Sequence, residues 1–356
     1  MQAIELIGHT HVELFAGGGG LALGLKRAGF DHSVLIEKDR HACETLRANT
    51  GRHAPLGRAA IVETDVTEIE WGEGAVELLS GGAPCQPFSL GGRHRAQGDE
   101  RNLFPEVLRA VRALKPRAVL LENVKGMTRA SFRPYFDYLV RQLRYPDVGP
   151  EGDEDWTDHD VRLRACEARG EEQFYDVQSK VLNAADYGVA QSRDRVFIVA
   201  VPRGRDFRFP DPTHGRATYP HADREVGAGG PPGWVTVRDA LQGLPEMRHD
   251  GQRDANDHWL IPGARQYTGH SGSQLDRPSK TIKAGVHGIP GGENTLVLED
   301  GGVRYYTIRE AARIQSFPDD YRFPVSRSEA IRQIGNAVPC RLAEAVGRSV
   351  WRTLHE

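Results

Sequence analysis

The sequence predicts an α/β protein with a doubly wound parallel sheet and a second, smaller, loop-rich domain. Short apolar runs alternate with helical periodicity over residues 1–202, a pattern typical of parallel strands joined by crossover helices. Residues 203–276 lose this periodicity and are rich in Pro, Gly, His and Arg. The length of 356 residues also exceeds the size at which a single core usually stops growing, so we expect two domains.

Each element of the sheet follows from its own local pattern. Apolar runs with β-branched residues predict the strands, at residues 12–15, 33–36, 61–64, 75–79, 118–121, 178–183 and 195–201. Apolar residues at helical spacing predict the helices, at residues 21–28, 39–49, 103–114, 135–143, 161–169, 307–316, 326–334 and 341–354. Because such sheets bind ligands at the carboxyl ends of their strands, the residues that follow each strand are the first candidates for a site.

Composition narrows the class of protein. The 46 basic and 49 acidic residues give a net charge of −3. Because the chain as a whole is not basic, a nucleic acid would have to bind at a local patch of basic residues. The sequence has no apolar run of about 18 residues and no secretory signal pattern, so we expect no membrane span. Four scattered cysteines without a CxxC pair argue against a disulfide framework or a zinc knuckle. We therefore expect a cytoplasmic protein without a metal.

The segment from Asp147 to Asp160 holds seven acidic residues and no basic one. We interpret it as a solvated insertion ahead of the helix near residues 161–169. The alternative is a functional role such as mimicry of DNA.

A glycine motif follows the first strand. Gly17-x-Gly19-x-x-Ala22 opens a helix, and Glu37 ends the next strand. Glycines let a ligand approach the backbone, and the acidic residue can accept hydrogen bonds from ribose hydroxyls. The pattern predicts a nucleotide site without separating a dinucleotide from another adenosine cofactor, and a structural glycine turn stays open. Asp65 ends the third strand and could accept from an adenine amino group or simply cap a turn.

Four residues are candidates for catalysis. Cys85 lies between prolines in a glycine-rich loop after a strand, a place that suits a presented nucleophile better than a core thiol. Glu122 follows an apolar strand, where burial would raise its pKa and suit it to proton donation, although it could also cap a helix. Arg193 and Arg195 alternate at the start of another strand and are expected on one face.

Taken together, these segments resemble the cytosine-C5 DNA methyltransferases. Five stretches carry the resemblance in the family's order, namely Glu13–Leu21, Gly82–Ser89, Glu122–Val124, Gln191–Arg195 and Gln333–Pro339. Residues 278–282 and 309–318 also look familial, and only 203–276, where the family has its target-recognition region, lacks a match.

The resemblance implies a Rossmann-like S-adenosylmethionine methyltransferase fold and methylation of C5 in a cytosine flipped out of duplex DNA. Cys85 would add to C6, Glu122 would act at N3, and Arg195 with Arg193 would hold the base near O2. The residues implied to contact S-adenosylmethionine are Phe15, Gly17, Gly19, Glu37, Asp65, Pro84, Leu103 and Asn336.

The resemblance also implies a domain plan and partners. Residues 1–202 would form the catalytic domain and 203–303 the target-recognition domain with its linker at 277–303. Residues 304–356 would return to the catalytic domain. Double-stranded DNA would be read by the small domain, whose arginines 205, 216, 224, 248, 253 and 265 are candidates for guanine or phosphate contacts. We expect a monomer, in a restriction–modification system with a cognate endonuclease or as an orphan methylase.

Three alternatives stay open at this stage. A dinucleotide-dependent oxidoreductase would use the glycine motif but leave Cys85 and Glu122 unexplained. A tRNA methyltransferase, as in one branch of the family, would keep the fold and the chemistry. A non-catalytic DNA-binding protein would have no need of the intact Cys85 and Glu122.

Overall fold

The computed structural model describes most of the chain, at residues 2–4, 10–72, 76–84, 102–216, 231–250, 252–253, 257–265, 271–284 and 294–356. In chain order its strands are β1 (Gln2–Ile4), β2 (Thr10–Leu14), β3 (His32–Glu37), β4 (Ala60–Glu63), β5 (Ile69–Trp71), β6 (Val76–Gly81), β7 (Ala118–Val124), β8 (Tyr175–Asn183), β9 (Asp194–Pro202), β10 (Thr295–Val297) and β11 (Val303–Tyr305). Its helices are α1 (Gly20–Ala28), α2 (Arg40–Ala48), α3 (Phe104–Leu114), α4 (Arg133–Arg144), α5 (Trp156–Ala168), α6 (Val237–Leu241), α7 (Ile308–Ile314), α8 (Arg327–Asn336) and α9 (Cys340–His355). The strands and helices predicted from the sequence are all present, with ends that shift by a few residues.

Seven of the strands form one sheet in the order β4-β3-β2-β6-β7-β9-β8. The first five are mutually parallel, as predicted, but β9 runs antiparallel to both β7 and β8. The predicted parallel sheet is therefore confirmed except for β9, which runs against all the other strands, including β8. The physical reason lies in the connection, because β8 and β9 are joined by residues 184–193, which contain only a short 3-10 turn and no crossover helix.

Helices cover both faces of the sheet because successive strand residues point in opposite directions. Val119 and Leu121 belong to a core with residues of α3, α4 and α5, whereas Leu120 belongs to a core with residues of α1 and α9. A Cβ on Gly24 of α1 would overlap the side chain of Ala343 in α9. This close approach lets the last helix of the chain pack directly against the first.

A third core lies beside the glycine-rich loop that follows β2. It joins residues of α7 and α8 and the aromatic side chains of Phe317, Tyr321 and Phe323 to Leu23 and Leu46 of the first two helices. Within the described part of residues 203–302, helices and strands are confined to α6 and β10. Residues between the catalytic sheet and α7 are thus mostly loop, in keeping with their weak periodicity.

The acidic segment is exposed at most of its acidic residues, as the sequence predicts, but it also contributes one buried charge. Helix α5 begins at Trp156, inside the segment, with Asp155 accepting hydrogen bonds at its N-terminus. Asp160 is buried, and its two oxygens lie 2.6 Å and 2.8 Å from Nε and an Nη of Arg141. Helical spacing turns Asp160 toward α4, whereas Asp153 and Asp158 remain exposed. Solvation therefore describes only the outer residues of the segment.

No helix in the described ranges combines the length and the apolar character needed to cross a lipid bilayer.

Candidate active site

A large cleft opens at the carboxyl ends of the parallel strands. Its volume of about 1510 Å³ exceeds the roughly 300–1,000 Å³ of a typical small-molecule pocket, so it can take more than one ligand. Nine of the twelve residues predicted for the site line it, namely Phe15, Gly17, Glu37, Pro84, Leu103, Glu122, Arg193, Arg195 and Asn336. Gly19 and Asp65 are not among its lining residues. Cys85 lies outside the described residues and follows Pro84 directly in the sequence.

The glycine-rich loop between β2 and α1 has an unusual backbone. Phe15 and Gly17 take positive φ values of 57° and 53°, which are uncommon for a residue with a side chain. The backbone N–H of Gly17 donates to Oε2 of Glu37 at 2.8 Å. The N–H groups of Lys38 and Asp39 donate to the other oxygen at 2.9 Å and 2.8 Å. Glu37 thereby joins two loops, and its carboxylate keeps capacity for a further hydrogen bond.

The C-terminal part of the chain closes over this loop. The hydroxyl of Tyr321 donates to the carbonyl oxygen of Gly18 at 2.9 Å. A Cβ on Gly19 would overlap that same hydroxyl, and a Cβ on Gly20 would overlap the carbonyl oxygen of Val338. Gly19 is therefore required for close packing, which is the structural alternative that the sequence left open at this position.

Asp65 caps a turn. Its Oδ1 accepts from the backbone N–H and the hydroxyl of Thr67 at 3.1 Å and 2.9 Å, and Nζ of Lys38 lies 3.2 Å from Oδ2. The hydrogen bond from the Thr67 N–H is the main reason that the pKa of Asp65 is lowered. This geometry matches the capping alternative, and the contact with an adenine group stays a prediction.

Glu122 is a buried acid whose ion pair with Arg195 does not satisfy its hydrogen-bonding capacity. It lies within β7, two residues from its end, and Nε of Arg195 is 2.8 Å from its Oε1. No donor in the described part of the chain is aligned on Oε1 as a hydrogen bond, so the contact is an ion pair with poor angular geometry. Burial raises the pKa of Glu122, against the lowering effect of Arg195 and Arg193. The raised pKa favours the protonated carboxyl, which is the form that can donate a proton to a ligand.

The strand that carries Glu122 also holds the loop that leads to Cys85. The side-chain amide of Asn123 donates to the carbonyl oxygen of Ala83 at 3.0 Å. A Cβ on Gly82 would lie 3.3 Å from Oε2 of Glu122, so glycine allows this loop to approach the acid closely. Asn123 is a positioning residue that the sequence motif contains but that the prediction did not single out.

The two arginines occupy different surroundings. Arg195 faces Glu122, whereas the guanidinium of Arg193 is buried and donates to the carbonyl oxygens of Gly335 and Ile282 at 2.7 Å and 3.3 Å. Burial is the main reason that the pKa of Arg193 is lowered. Arg193 therefore ties the start of β9 to the closing segment, and Arg195 is the arginine that meets the acid.

Gln333 is a cleft residue that the sequence analysis missed. It is 2% exposed and lines the cleft, and both atoms of its amide lack a hydrogen-bond partner among the described residues. It precedes Asn336 by three positions in α8, so the two share a helix face. That spacing was the signal available in the sequence. An unpaired buried amide is costly, so Gln333 is a candidate to bind whatever fills the cleft.

Comparison with known proteins gives a consistent result. The family described as C-5 cytosine-specific DNA methylase matches residues 9–146 and 161–352. The chain is 33% identical to the Type II methyltransferase M.NgoMIV of Neisseria gonorrhoeae, over 97% of this chain and 98% of that protein. It is 32% identical to the Type II methyltransferase M.PspPI of Psychrobacter, over 98% and 80% of the two chains.

Solved structures show the same fold. The Dnmt2 methyltransferase of S. pombe superposes with a TM-score of 0.62 at 17% identity, over 98% of this chain and 100% of that one. The methyltransferase EhMeth of Entamoeba histolytica gives a TM-score of 0.61 at 14% identity, with the same coverage.

Proposed function

The chain belongs to the C-5 cytosine-specific DNA methylase family and is a DNA cytosine-5 methyltransferase, and we propose that it works through a covalent bond between Cys85 and C6 of a flipped cytosine. The observation that carries this proposal is the buried acid Glu122, which lines the cleft next to the loop that leads to Cys85. The family assignment excludes the alternative of a dinucleotide-dependent oxidoreductase.

The proposed reaction uses a nucleophile and an acid. The thiolate of Cys85 adds to C6 of the cytosine while Glu122 gives its proton to N3, so electron density moves to C5. Arg195 holds the base near O2. Once C5 carries the methyl group that bound S-adenosylmethionine would supply, solvent takes the C5 proton, the bond between sulfur and C6 breaks, and N3 returns its proton to Glu122. Splitting the reaction in this way lowers each barrier, and Cys85 leaves as the thiolate that began it.

The residues of the cleft fit S-adenosylmethionine. Glu37 keeps an acceptor site for a ribose hydroxyl, and Phe15 and Leu103 offer apolar contacts beside it. The N-terminus of α1 at Gly20 has no side-chain cap from its N-cap residue Gly19, and the positive end of the helix dipole there favours a carboxylate. Gln333 supplies an amide without a partner among the residues described. When bound, S-adenosylmethionine supplies an electrophilic methyl group for C5.

The substrate is proposed to be duplex DNA, from which the cytosine must leave the stack at a cost of roughly a few kcal/mol. Two of the arginines proposed for DNA contacts already have partners within the chain. Arg253 donates to the carbonyl oxygens of Phe323 and Val325, and Arg248 pairs with Asp250.

The remaining candidates narrow the search for DNA-reading residues. Arg205, Arg216 and Arg265 have exposed side chains, and Arg224 lies outside the described residues. Among the described residues these three have no ion pair or side-chain hydrogen bond, so we expect them to contribute more to DNA binding than the equally exposed Arg248 and Arg253, which have partners.

The biological setting is also a proposal. The curated relatives are named as Type II methyltransferases, which supports a role in a restriction–modification system beside a cognate endonuclease. A cytoplasmic location and a monomeric state are further parts of the proposal. An orphan methylase is the alternative, and the neighbouring reading frames distinguish the two.

Methyl transfer from radiolabelled S-adenosylmethionine tests the proposed substrate. The full chain is incubated with mixed-sequence duplex DNA or with tRNA, and the nucleosides are identified after digestion. Label in 5-methyldeoxycytidine from the duplex alone is the expected result. Label confined to tRNA would replace the proposed substrate, and label in neither nucleic acid would contradict the proposed activity.

A further inference from the structure

A cluster of polar side chains lies inside the sheet beneath the glycine-rich loop. His11 and Glu13 point to the same face of β2, His32 extends from the neighbouring β3, and Ser80 extends from β6 on the other side. His11, Glu13 and His32 are 2%, 1% and 7% exposed. Parallel strands buried on both faces are usually apolar, so a group of this kind needs an explanation.

The hydrogen bonds within the cluster fix the form of one histidine. The hydroxyl of Ser80 donates to Oε2 of Glu13 at 3.2 Å, and Nε2 of His11 lies 2.7 Å from the same hydroxyl oxygen. Since the Ser80 proton is used on Glu13, Nε2 of His11 must be the donor in its own contact. Nδ1 of His11 therefore carries a lone pair. An outer group that holds one ring nitrogen and leaves the other available is the usual arrangement around a metal-binding histidine.

Three ring nitrogens of the cluster make no well-formed hydrogen bond among the described residues, namely Nδ1 of His11 and both nitrogens of His32, whereas Glu13 accepts from Ser80 and from the backbone N–H of Ala22. Candidate ligand atoms of His11, Glu13 and His32 all lie within 4.8 Å of one another. Nε2 of His32 is 3.7 Å from Oε2 of Glu13. Tetrahedral ligands on zinc stand about 3.3 Å apart, given bonds of about 2.0–2.1 Å, so side-chain rotations of modest size would bring these atoms together. Buried polar atoms without partners indicate a missing water or ion.

We propose that His11, Glu13 and His32 bind a divalent transition-metal ion, with Zn²⁺ as the best match to two imidazoles and a carboxylate. Ser80 orients His11 and Glu13 from the outer sphere. Glu13 also lines the cleft, which gives an ion a route to the site. The ion links β2 to β3 next to residues 15–20, and none of its three ligands takes part in the proposed reaction, so its role is structural. This site departs from the sequence-based expectation of a protein without a metal.

Metal content of the untagged full chain is the first test. After treatment with a chelator and reconstitution with Zn²⁺, elemental analysis is expected to give one zinc per chain, and Co²⁺ is expected to give the visible absorption of a tetrahedral nitrogen–oxygen site. A chain that retains no zinc and gives no cobalt spectrum holds water or nothing in the cluster, and the proposal is then wrong.

Variants assign the metal to this cluster. The pair His11→Ala and His32→Ala is expected to lose the zinc, whereas His53→Ala, at an exposed histidine, is expected to keep it. Ser80→Ala retains all three ligands and is expected to bind zinc about 10–100-fold more weakly. Stoichiometric zinc in the double variant would place the ion elsewhere and overturn the assignment. If the double variant does not fold, the affinity of Ser80→Ala decides, and an unchanged affinity counts against the site.

Discussion

Two buried acids in this protein have arginine partners, and the two pairs are built differently. Asp160 in α5 receives two hydrogen bonds from Arg141, at 2.6 Å and 2.8 Å, and a third from Arg164. Glu122 in β7 has Nε of Arg195 at 2.8 Å from Oε1 without the alignment of a hydrogen bond. The first pair is complete within the protein. Among the described residues, the second pair leaves bonding capacity on Oε1 that a ligand in the cleft can use.

The comparison separates a structural ion pair from a functional one. Paired buried charges that are fully hydrogen bonded hold elements together, and removal of one partner is costly. An acid that is buried but not fully bonded keeps a raised pKa and remains able to donate a proton. The contrast predicts that Asp160 variants lose stability and that Glu122 variants lose activity.

The largest expected effect is on catalysis. Glu122→Gln keeps the size of the side chain but cannot donate the proton that N3 requires, so kcat/KM for methyl transfer is expected to fall about 10²–10⁴-fold. Steady-state kinetics on duplex DNA would measure the loss. A variant with nearly full activity would show that Glu122 is not the acid.

The pH dependence of the stability of Glu122→Gln is a second test, because the raised pKa fixes the direction in which stability relative to wild type changes with pH. Because the pKa of Glu122 is raised in the folded protein, the stabilisation that its neutral form provides is present below the unfolded pKa and is lost as pH rises through the folded pKa. Glu122→Gln stays neutral, so its stability relative to wild type should increase as pH rises above about 4.3. Denaturant unfolding at several pH values checks this trend.

The next effect is on stability. Asp160→Ala leaves the buried Arg141 without its main partner and is expected to cost about 3–5 kcal/mol of unfolding free energy. Urea denaturation would measure the cost, and kcat at a temperature where the variant is folded should stay close to wild type. The exposed Asp153→Ala is the matched control and should change stability by less than about 0.5 kcal/mol. A larger loss of unfolding free energy in Asp153→Ala than in Asp160→Ala would contradict the structural role of Asp160.

The smallest effect concerns Asp65, where the sequence left two roles open. Loss of the cap in Asp65→Ala is expected to cost about 1 kcal/mol. Because the pKa of Asp65 is lowered in the folded protein, its contribution is present above the unfolded pKa and disappears as pH falls through the folded pKa. Titration calorimetry of the variant with S-adenosylmethionine sharpens the assignment. A large loss of affinity would show that Asp65 contacts the adenine group as well as capping the turn. An unchanged affinity would show that Asp65 only caps the turn.

Much of the fold was predictable because it depends on local patterns. Alternating apolar runs predicted the five parallel strands and the helices between them, and Asp39 caps α2 as its position indicated. The antiparallel β9 was not predictable from its own residues, since direction depends on what connects a strand to its neighbours. The burial of Asp160 was hidden by the charge of the residues around it.

The sequence predicted which residues line the candidate site better than it predicted their hydrogen-bond partners. Glu37 and Glu122 line the cleft at strand ends, as the sequence indicated. The difference between Arg193 and Arg195 could not be predicted, because it depends on the carbonyl oxygens of Ile282 and Gly335, which are distant in the sequence. The contact of Tyr321 with Gly18 is hidden for the same reason, since 303 positions separate the two residues.

The most direct test of the central claim is covalent capture of Cys85. In the presence of S-adenosylmethionine, wild-type chain is expected to form a denaturant-resistant adduct with duplex DNA in which the target cytosine carries fluorine at C5, because the fluorine cannot leave as a proton does. Peptide mapping should place the adduct on Cys85, and Cys85→Ser should form none while it still binds S-adenosylmethionine. A Cys85→Ser variant that methylates DNA at the wild-type rate, with no adduct in either protein, would contradict the account.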